Sequence, residues 1–349
     1  MKGKMKAIIK KENKPGAVLD VVDIPKISPD EVLVNVKVAS ICGTDVHIFG
    51  WNEWAQSRIR TPLIIGHEFA GEVVEIGSNV KSLKVGDFVS AETHIPCNQC
   101  FQCKTGKQHI CKNVSILGVD INGVFADYVA LPEICAWKNS EKIPLEFASV
   151  QEPLGNAVYA TLEGGGVAGK KVAIFGCGPT GLFAIGVAKV AGSSDIISIG
   201  KHKFRMEIAK KMGADHILKY PEDDISKKIE EITDGEGVDV VLEMTGSQDA
   251  INYGLSVLKK GGRFTAFGIP SGKVEIDIAN GIIFKGAVVV GISGRKMFDT
   301  WYRVANLLES KRIDISPIIT HKFPLDEYEK GFNLMMSKER KAAKILLFP

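Results

Sequence analysis

Runs in which apolar and polar positions alternate occupy the first part of the chain. MKAIIK, AVLDVVDI and EVLVNVKVAS lie between residues 5 and 40, and FAGEVVEIG and GDFVSAE between 69 and 91. Pro, Gly and Asn separate them, so the pattern predicts a mainly antiparallel sheet with long loops over roughly the first 150 residues. Near residue 171 the pattern changes. KKVAIFG is a continuous apolar strand, a Gly-rich turn follows, and LFAIGVAKVAG has helical spacing. DIISIG then precedes KFRMEIAKKMGA, VDVVLEMTG precedes QDAINYGLSVLKKGG, and RFTAFGI closes the series. Strands alternating with helices predict a doubly wound parallel sheet, so the fold class is α/β.

From about residue 297 the chain reads FDTWYRVANLLESKRI, a Pro-bounded loop, EYEKGFNLMMSK and a terminal strand KAAKILLFP. The pattern leaves open whether this tail caps the parallel sheet or returns to the first region. There is no internal repeat or low-complexity linker, so the two regions should pack closely around a cleft.

The length of 349 residues agrees with about two domains. A net charge of +3 gives no global drive toward nucleic acid or an anionic membrane, so any bound anion must be held locally. No apolar run reaches the roughly 18 residues needed to span a bilayer, and the basic start lacks the apolar segment of a secretory signal. A cytoplasmic protein acting on a small molecule, without a nucleic-acid or membrane partner, is expected.

Of seven cysteines, four crowd together as Cys97, Cys100, Cys103 and Cys111. Four thiolates at this spacing can close a tetrahedral Zn²⁺ and leave no open position, which is a structural arrangement. Ferredoxin spacings differ, which ranks an iron–sulfur cluster lower. A zinc module for nucleic acid is disfavoured because only Lys104, Lys107 and Lys112 and the single aromatic Phe101 lie near. Gly176, Gly178 and Gly181, with Pro179 and Thr180 inside the turn, form a G-x-G-x-x-G between a predicted strand and the predicted helix LFAIGVAKVAG, where a dinucleotide pyrophosphate would lie.

About twenty residues on, an acidic residue would bind the free 2′-hydroxyl of NAD. The chain has Gly200 there, followed by Lys201, His202 and Arg205. Lack of a carboxylate and a cluster of cations favour the 2′-phosphate of NADP. The competing reading is a solvated basic helix start. Preference for NADP, reversed by Gly200→Asp, is therefore expected. A third, dispersed set is Cys42, His67, Glu68 and Glu152, all competent zinc ligands, or alternatively packed core residues.

The order of ICGTDVH, GHEFAGEVVEIG, the four-Cys segment and GCGPTG resembles the zinc-containing medium-chain alcohol dehydrogenases over essentially the whole chain. ICGTDVHIFGWNEW, AETHIPC, EPLGNAVYA, SGRKMFDTWY and SPIITHKF are most similar to the branch that oxidises the 3-hydroxyl of L-threonine to 2-amino-3-oxobutanoate. Polyol, butanediol and other secondary-alcohol dehydrogenases are the alternative.

The resemblance implies a GroES-like catalytic domain at 1–155 and 297–349 around a Rossmann domain at 156–296, two Zn²⁺ per subunit, and a homotetramer. It assigns Cys42, His67 and Glu68 to a catalytic zinc, with Glu152 either a ligand or a proton-transfer carboxylate. It also assigns Thr44 and His47 to a proton relay and His94 to substrate recognition. Phe267, Gly268, Ile269, Ile292 and Ser293 would join the cofactor site. The chain departs from that branch at Gly200, where Asp or Glu is usual, whereas Arg205 matches its arginine near the adenosine ribose. Gly200-Lys201-His202 with Tyr220 instead resembles NADP-dependent secondary alcohol dehydrogenases. Arg295 is either an anion partner or part of a structural ion pair.

Overall fold

The computed structural model describes residues 2–349. The strand Glu31–Ser40 is the hub of the first region. Its near-continuous Val, Leu and Ala content suits a strand covered on both faces, and eight of its ten residues pair with Glu68–Ile76, from Val32↔Ile76 to Ser40↔Glu68. That register brings the turn after Ser40 beside the segment that enters Glu68.

The larger sheet runs Ala136–Lys138, Phe88–Ala91, Glu68–Ile76, Glu31–Ser40, Lys344–Phe348, Ile319–Pro324, with Tyr128–Pro132 also pairing to the hub. A three-stranded sheet of Val18–Asp23, Lys4–Lys10 and Leu63–Ile64 completes a β-rich, GroES-like region.

The tail returns to this region. Leu346 pairs with Ser40 and Leu347 with Ala39, and Ile345, Leu346 and Leu347 are fully buried. Before that, the helix Asp299–Glu309 presents Trp301, Val304 and Leu308 inward, and Val304 and Leu308 share a core with Ile185 of the parallel-sheet region. The tail thus starts against one region and ends in the other.

The second region has six parallel strands in the order His216–Lys219, Asp195–Gly200, Lys171–Phe175, Val238–Glu243, Leu258–Ala266, Val288–Gly291. The order reverses beside Lys171–Phe175, and this switch point at the carboxyl ends of the strands is where such sheets bind ligands. Among the described residues no helix is long and apolar enough to cross a membrane.

No element is assigned from sequence to the helix Gln151–Leu162, whose first residues include Pro153 and Gly155, residue types that lower helix propensity. Pro153 falls in the first turn, where a missing N–H costs no intrahelical bond. Gly155 has Arg295 against it: a Cβ there would stand 2.9 Å from Arg295 Cδ.

Candidate active site

The helix Gly43–Gly50 begins where the hub strand ends, with Cys42 as its N-cap. Asp45 Oδ2 accepts from the Cys42 backbone N–H at 2.8 Å, tying the turn at its start. The Ser40↔Glu68 pairing then sets Cys42 opposite His67 and Glu68. One donor atom from each of Cys42, His67 and Glu68 lies within 4.8 Å of the others. Asp45 Oδ1 is 3.3 Å from His67 Nδ1, which leaves Nε2 as the ring's other donor. A carboxylate behind a histidine is the usual support for a metal ligand. Burial opposes charge on His67, yet Asp45 and Cys42 raise its pKa well above the ordinary value.

Glu68 is fully buried, and Lys344 Nζ donates to its Oε1 at 2.6 Å and also to Oε2, where the Ser40 hydroxyl donates as well. Burial raises the Glu68 pKa, while Lys344 opposes that rise. Thr44 is half-buried and His47 exposed, three residues apart on one helix face. Asn52 Nδ2 lies 3.0 Å from His47 Nδ1 and orients the ring.

Glu152 lies outside the three-residue donor cluster. Its Oε1 accepts from Arg295 Nη1, while Arg295 Nη2 donates to Glu92 Oε1 and, at 3.1 Å, to Thr93 Oγ1. Glu92 also accepts from the His94 backbone N–H at 2.9 Å and from Trp301 Nε1 at 2.9 Å. His94 Nδ1 stands 3.2 Å from Glu92 Oε1 and 3.2 Å from Arg295 Nη2. Arg295 is therefore a member of a buried ion-pair network, which decides between its two sequence-based readings.

Burial would raise the Glu92 carboxyl, but Arg295 and His94 bring it down to about 2. Sequence reasoning missed Glu92, Asp45 and Lys344. Asp45 carried a signal, an acid three residues past the N-cap Cys42, whereas Lys344 and Glu92 meet their partners only through the fold.

In the four-Cys segment, the short helix Phe101–Lys104 and the turn Gln108–Ile110 bring the four sulfurs within 4.8 Å of one another. Cys100 Sγ is 3.5 Å from Cys103 Sγ and 3.7 Å from Cys111 Sγ. Sulfurs each about 2.3 Å from one tetrahedral centre lie about 3.8 Å apart, so the set fits Zn²⁺. The backbone N–H of Cys103, aimed at Cys100, helps hold that thiol down to about 6. All seven cysteines are free.

At the switch point, Gly176 adopts φ +107°, and a Cβ on Gly181 would fall 2.0 Å from Gly176 O. Gly178 has open space where a Cβ would project, leaving room for close approach of a pyrophosphate to the backbone. Pro179, Thr180 and Gly181 open the helix Pro179–Val190 that faces this space.

Gly176, Gly178, Gly200, Lys201, His202, Arg205 and Tyr220 line one cavity of about 260 Å³. Phe267, Gly268 and Ile269 follow the strand Leu258–Ala266, and Ile292 and Ser293 follow Val288–Gly291, again at carboxyl ends. Ile269 is 90% exposed, whereas Ile292 is buried. Thr245, Ser247 and Asp249 also line the cavity, and Asp249 Oδ2 accepts from Tyr220 Oη at 2.7 Å. These three were not legible before the strand order was known.

Among the described residues Lys201, Lys203, Arg205 and Arg340 form no ion pair. Burial, and then Arg340, lower the Arg205 guanidinium to about 10. Of these cations, Lys201 and Arg205 line the cavity together with Asp249, Lys203 lines a neighbouring one, and Arg205 Nε donates to Ala342 O at 2.8 Å, so Lys201 and Arg205 are the cations placed to meet an anionic ligand.

Residues 28–141 match the family described as alcohol dehydrogenase GroES-like domain, and residues 179–310 match zinc-binding dehydrogenase. The chain is 51% identical over 349 residues to L-threonine 3-dehydrogenase of Bacillus licheniformis, covering 100% of both chains. The crystal structure of 2R,3R-butanediol dehydrogenase from Bacillus subtilis superposes with a TM-score of 0.89 at 30% identity, covering 99% of each chain. A zinc-binding dehydrogenase from Sinorhizobium meliloti 1021, bound to NADP, superposes with a TM-score of 0.90 at 28% identity, covering 99% of this chain and 100% of that one. The chain belongs to the zinc-binding alcohol dehydrogenases, in the L-threonine 3-dehydrogenase family.

Proposed function

We propose that this enzyme oxidises the 3-hydroxyl of L-threonine to 2-amino-3-oxobutanoate, with transfer of a hydride to a nicotinamide dinucleotide, NADP in preference to NAD. The observation that carries the reading is the convergence of Cys42, His67 and Glu68 within 4.8 Å, in a chain 51% identical throughout to an L-threonine 3-dehydrogenase. Cys42, His67 and Glu68 would hold one Zn²⁺, with Glu152 either a fourth ligand or a proton-transfer carboxylate. Cys97, Cys100, Cys103 and Cys111 would hold a second.

Zinc, when bound, supplies Lewis acidity that lowers the pKa of a substrate hydroxyl, and the nicotinamide, when bound, accepts the hydride. The chain's own residues do the rest. Thr44 Oγ1 takes up the hydroxyl proton and passes its own toward exposed His47 and solvent. His94, fixed by Glu92 and Arg295, contacts the substrate. The glycine turn and the cations from Lys201 to Arg205 hold the dinucleotide, so that the substrate carbon faces the ring. The Sinorhizobium relative is bound to NADP and an Escherichia coli neighbour to NADH, which supports a nicotinamide dinucleotide, while the preference for NADP rests on Gly200 and the cations beside it.

A polyol or butanediol is the second reading. What favours it is that Arg295, the cation best placed in the sequence to receive a substrate carboxylate, is already occupied by Glu92 and Glu152.

We place the catalytic domain at 1–155 and 297–349 and the Rossmann domain at 156–296. Seven free cysteines suit the cytoplasm. Self-association, to a homotetramer, is supported by an apolar surface at the sheet edge, where Ile283, Phe284, Val288 and Val289 are 64%, 70%, 53% and 48% exposed.

Cys42→Ser and Thr44→Val test the mechanism. Cys42→Ser should abolish turnover with cofactor affinity retained, and Thr44→Val should lower kcat by about 10²–10⁴-fold. Near-normal turnover in Cys42→Ser would overturn it.

A further inference from the structure

We infer that Cys177 and Gly200 act as one specificity-determining pair: the Cys177 thiol occupies the space that a side chain at position 200 requires, and so excludes an acid from the ribose pocket. The inference rests on the NADP reading proposed above and adds a residue to it.

Gly200 ends the strand Asp195–Gly200, and its backbone lies outside the left-handed region that would demand glycine. Conformation therefore does not explain the missing side chain. Packing does. A Cβ at position 200 would stand 2.5 Å from Cys177 Sγ and 3.2 Å from Met206 Cγ. Met206 is a flexible chain that can give by the few tenths of an ångström required. Cys177 has less freedom. It is the central residue of the glycine turn, between Gly176 at φ +107° and Gly178, so its Cα is fixed by the turn itself. Its side chain is buried, with Sγ 3.3 Å from Ser198 Oγ and 3.8 Å from Ile199 O.

Both residues line the cavity that also contains Lys201, His202 and Arg205. With position 200 held empty, these cations meet no carboxylate from the strand end, and a 2′-phosphomonoester on the adenosine ribose is the ligand chemistry they fit. An Asp or Glu at position 200 would both repel that phosphate and collide with the thiol. Gly200→Asp alone, the change that sequence reasoning offers as a cofactor switch, should therefore damage the turn rather than convert the site. Conversion requires Cys177→Ala as well.

The test is a four-member cycle of the full-length protein: unmodified, Cys177→Ala, Gly200→Asp and the double variant. Tm is measured without cofactor, and Kd for NADP and NAD is measured by fluorescence titration. Gly200→Asp alone should lower Tm by about 5 °C, the range expected of overpacking, and weaken both cofactors. The double variant should regain most of that Tm relative to Cys177→Ala, and shift the NADP to NAD affinity ratio about tenfold or more toward NAD. Equal Tm for Gly200→Asp and the unmodified protein, with the ratio shifted as far as in the double variant, would overturn the coupling. If the unmodified protein binds NAD as tightly as NADP, the NADP reading and the pair's role in preference fall together. The Tm cycle then still reports whether the steric contact exists, so the two failures are distinguishable.

Discussion

The ammonium of Lys344 donates to the carboxylate of Glu68, 276 residues earlier in the chain, at 2.6 Å from Oε1, and both side chains are buried. The last strand thus delivers the counter-charge for an acid in the candidate metal centre. Removing one member of such a pair leaves an uncompensated buried charge. Lys344→Met should cost about 3–5 kcal/mol, and Lys344→Met with Glu68→Gln should restore part of it. Thermal unfolding of the two variants checks this. A Lys344→Met protein as stable as the original would show that the pair contributes nothing net.

Arg295 joins Glu92 beside His94 to Glu152 on the helix Gln151–Leu162. Because Glu92 is held at about 2, below the range of a free glutamate, its contribution to stability is full above about pH 5 and is lost as pH falls toward 2. The contribution is on the order of 3 kcal/mol. The Tm difference between the original and Glu92→Gln should be largest near pH 6 and shrink toward pH 3. A constant difference would contradict the assignment.

Arg295→Lys keeps the charge but cannot bridge two carboxylates with a planar fork. It should lower kcat/KM by about 10²-fold through misplacement of His94 and Glu152, with cofactor Kd unchanged. Steady-state kinetics with a parallel cofactor titration separates this from general loss of fold.

The four-sulfur cluster predicts loss of one metal ion per chain in Cys100→Ser, with a lowered Tm. Metal analysis should fall from about two zinc per chain to about one. A full two in Cys100→Ser would remove that residue from the site.

Local motifs were legible in the sequence where short-range geometry carries the chemistry. The four-Cys spacing and the glycine turn each lie within one loop or one strand–helix junction, so residue types at fixed offsets specify them. Strand alternation likewise placed Lys4–Lys10, Val18–Asp23, Glu31–Ser40, Glu68–Ile76 and Phe88–Ala91, but not Tyr128–Pro132, Ala136–Lys138 or Ile319–Pro324. What stayed hidden depends on distant partners. The helix around Glu152 carries Pro153 and Gly155, whose roles become clear only with the first-turn position and Arg295 beside it. Lys344 and Glu92 read as ordinary surface-type charges until register and topology bury them. At Gly200 the sequence pointed to the cofactor, but only packing links the glycine to Cys177.

The most direct measurement is kcat/KM of the unmodified protein for L-threonine and for 2,3-butanediol, each with NADP and with NAD, following nicotinamide reduction. The highest value is expected for L-threonine with NADP, with little activity on the uncharged diol. A higher value for the diol, or no oxidation of threonine with either cofactor, would contradict the L-threonine reading.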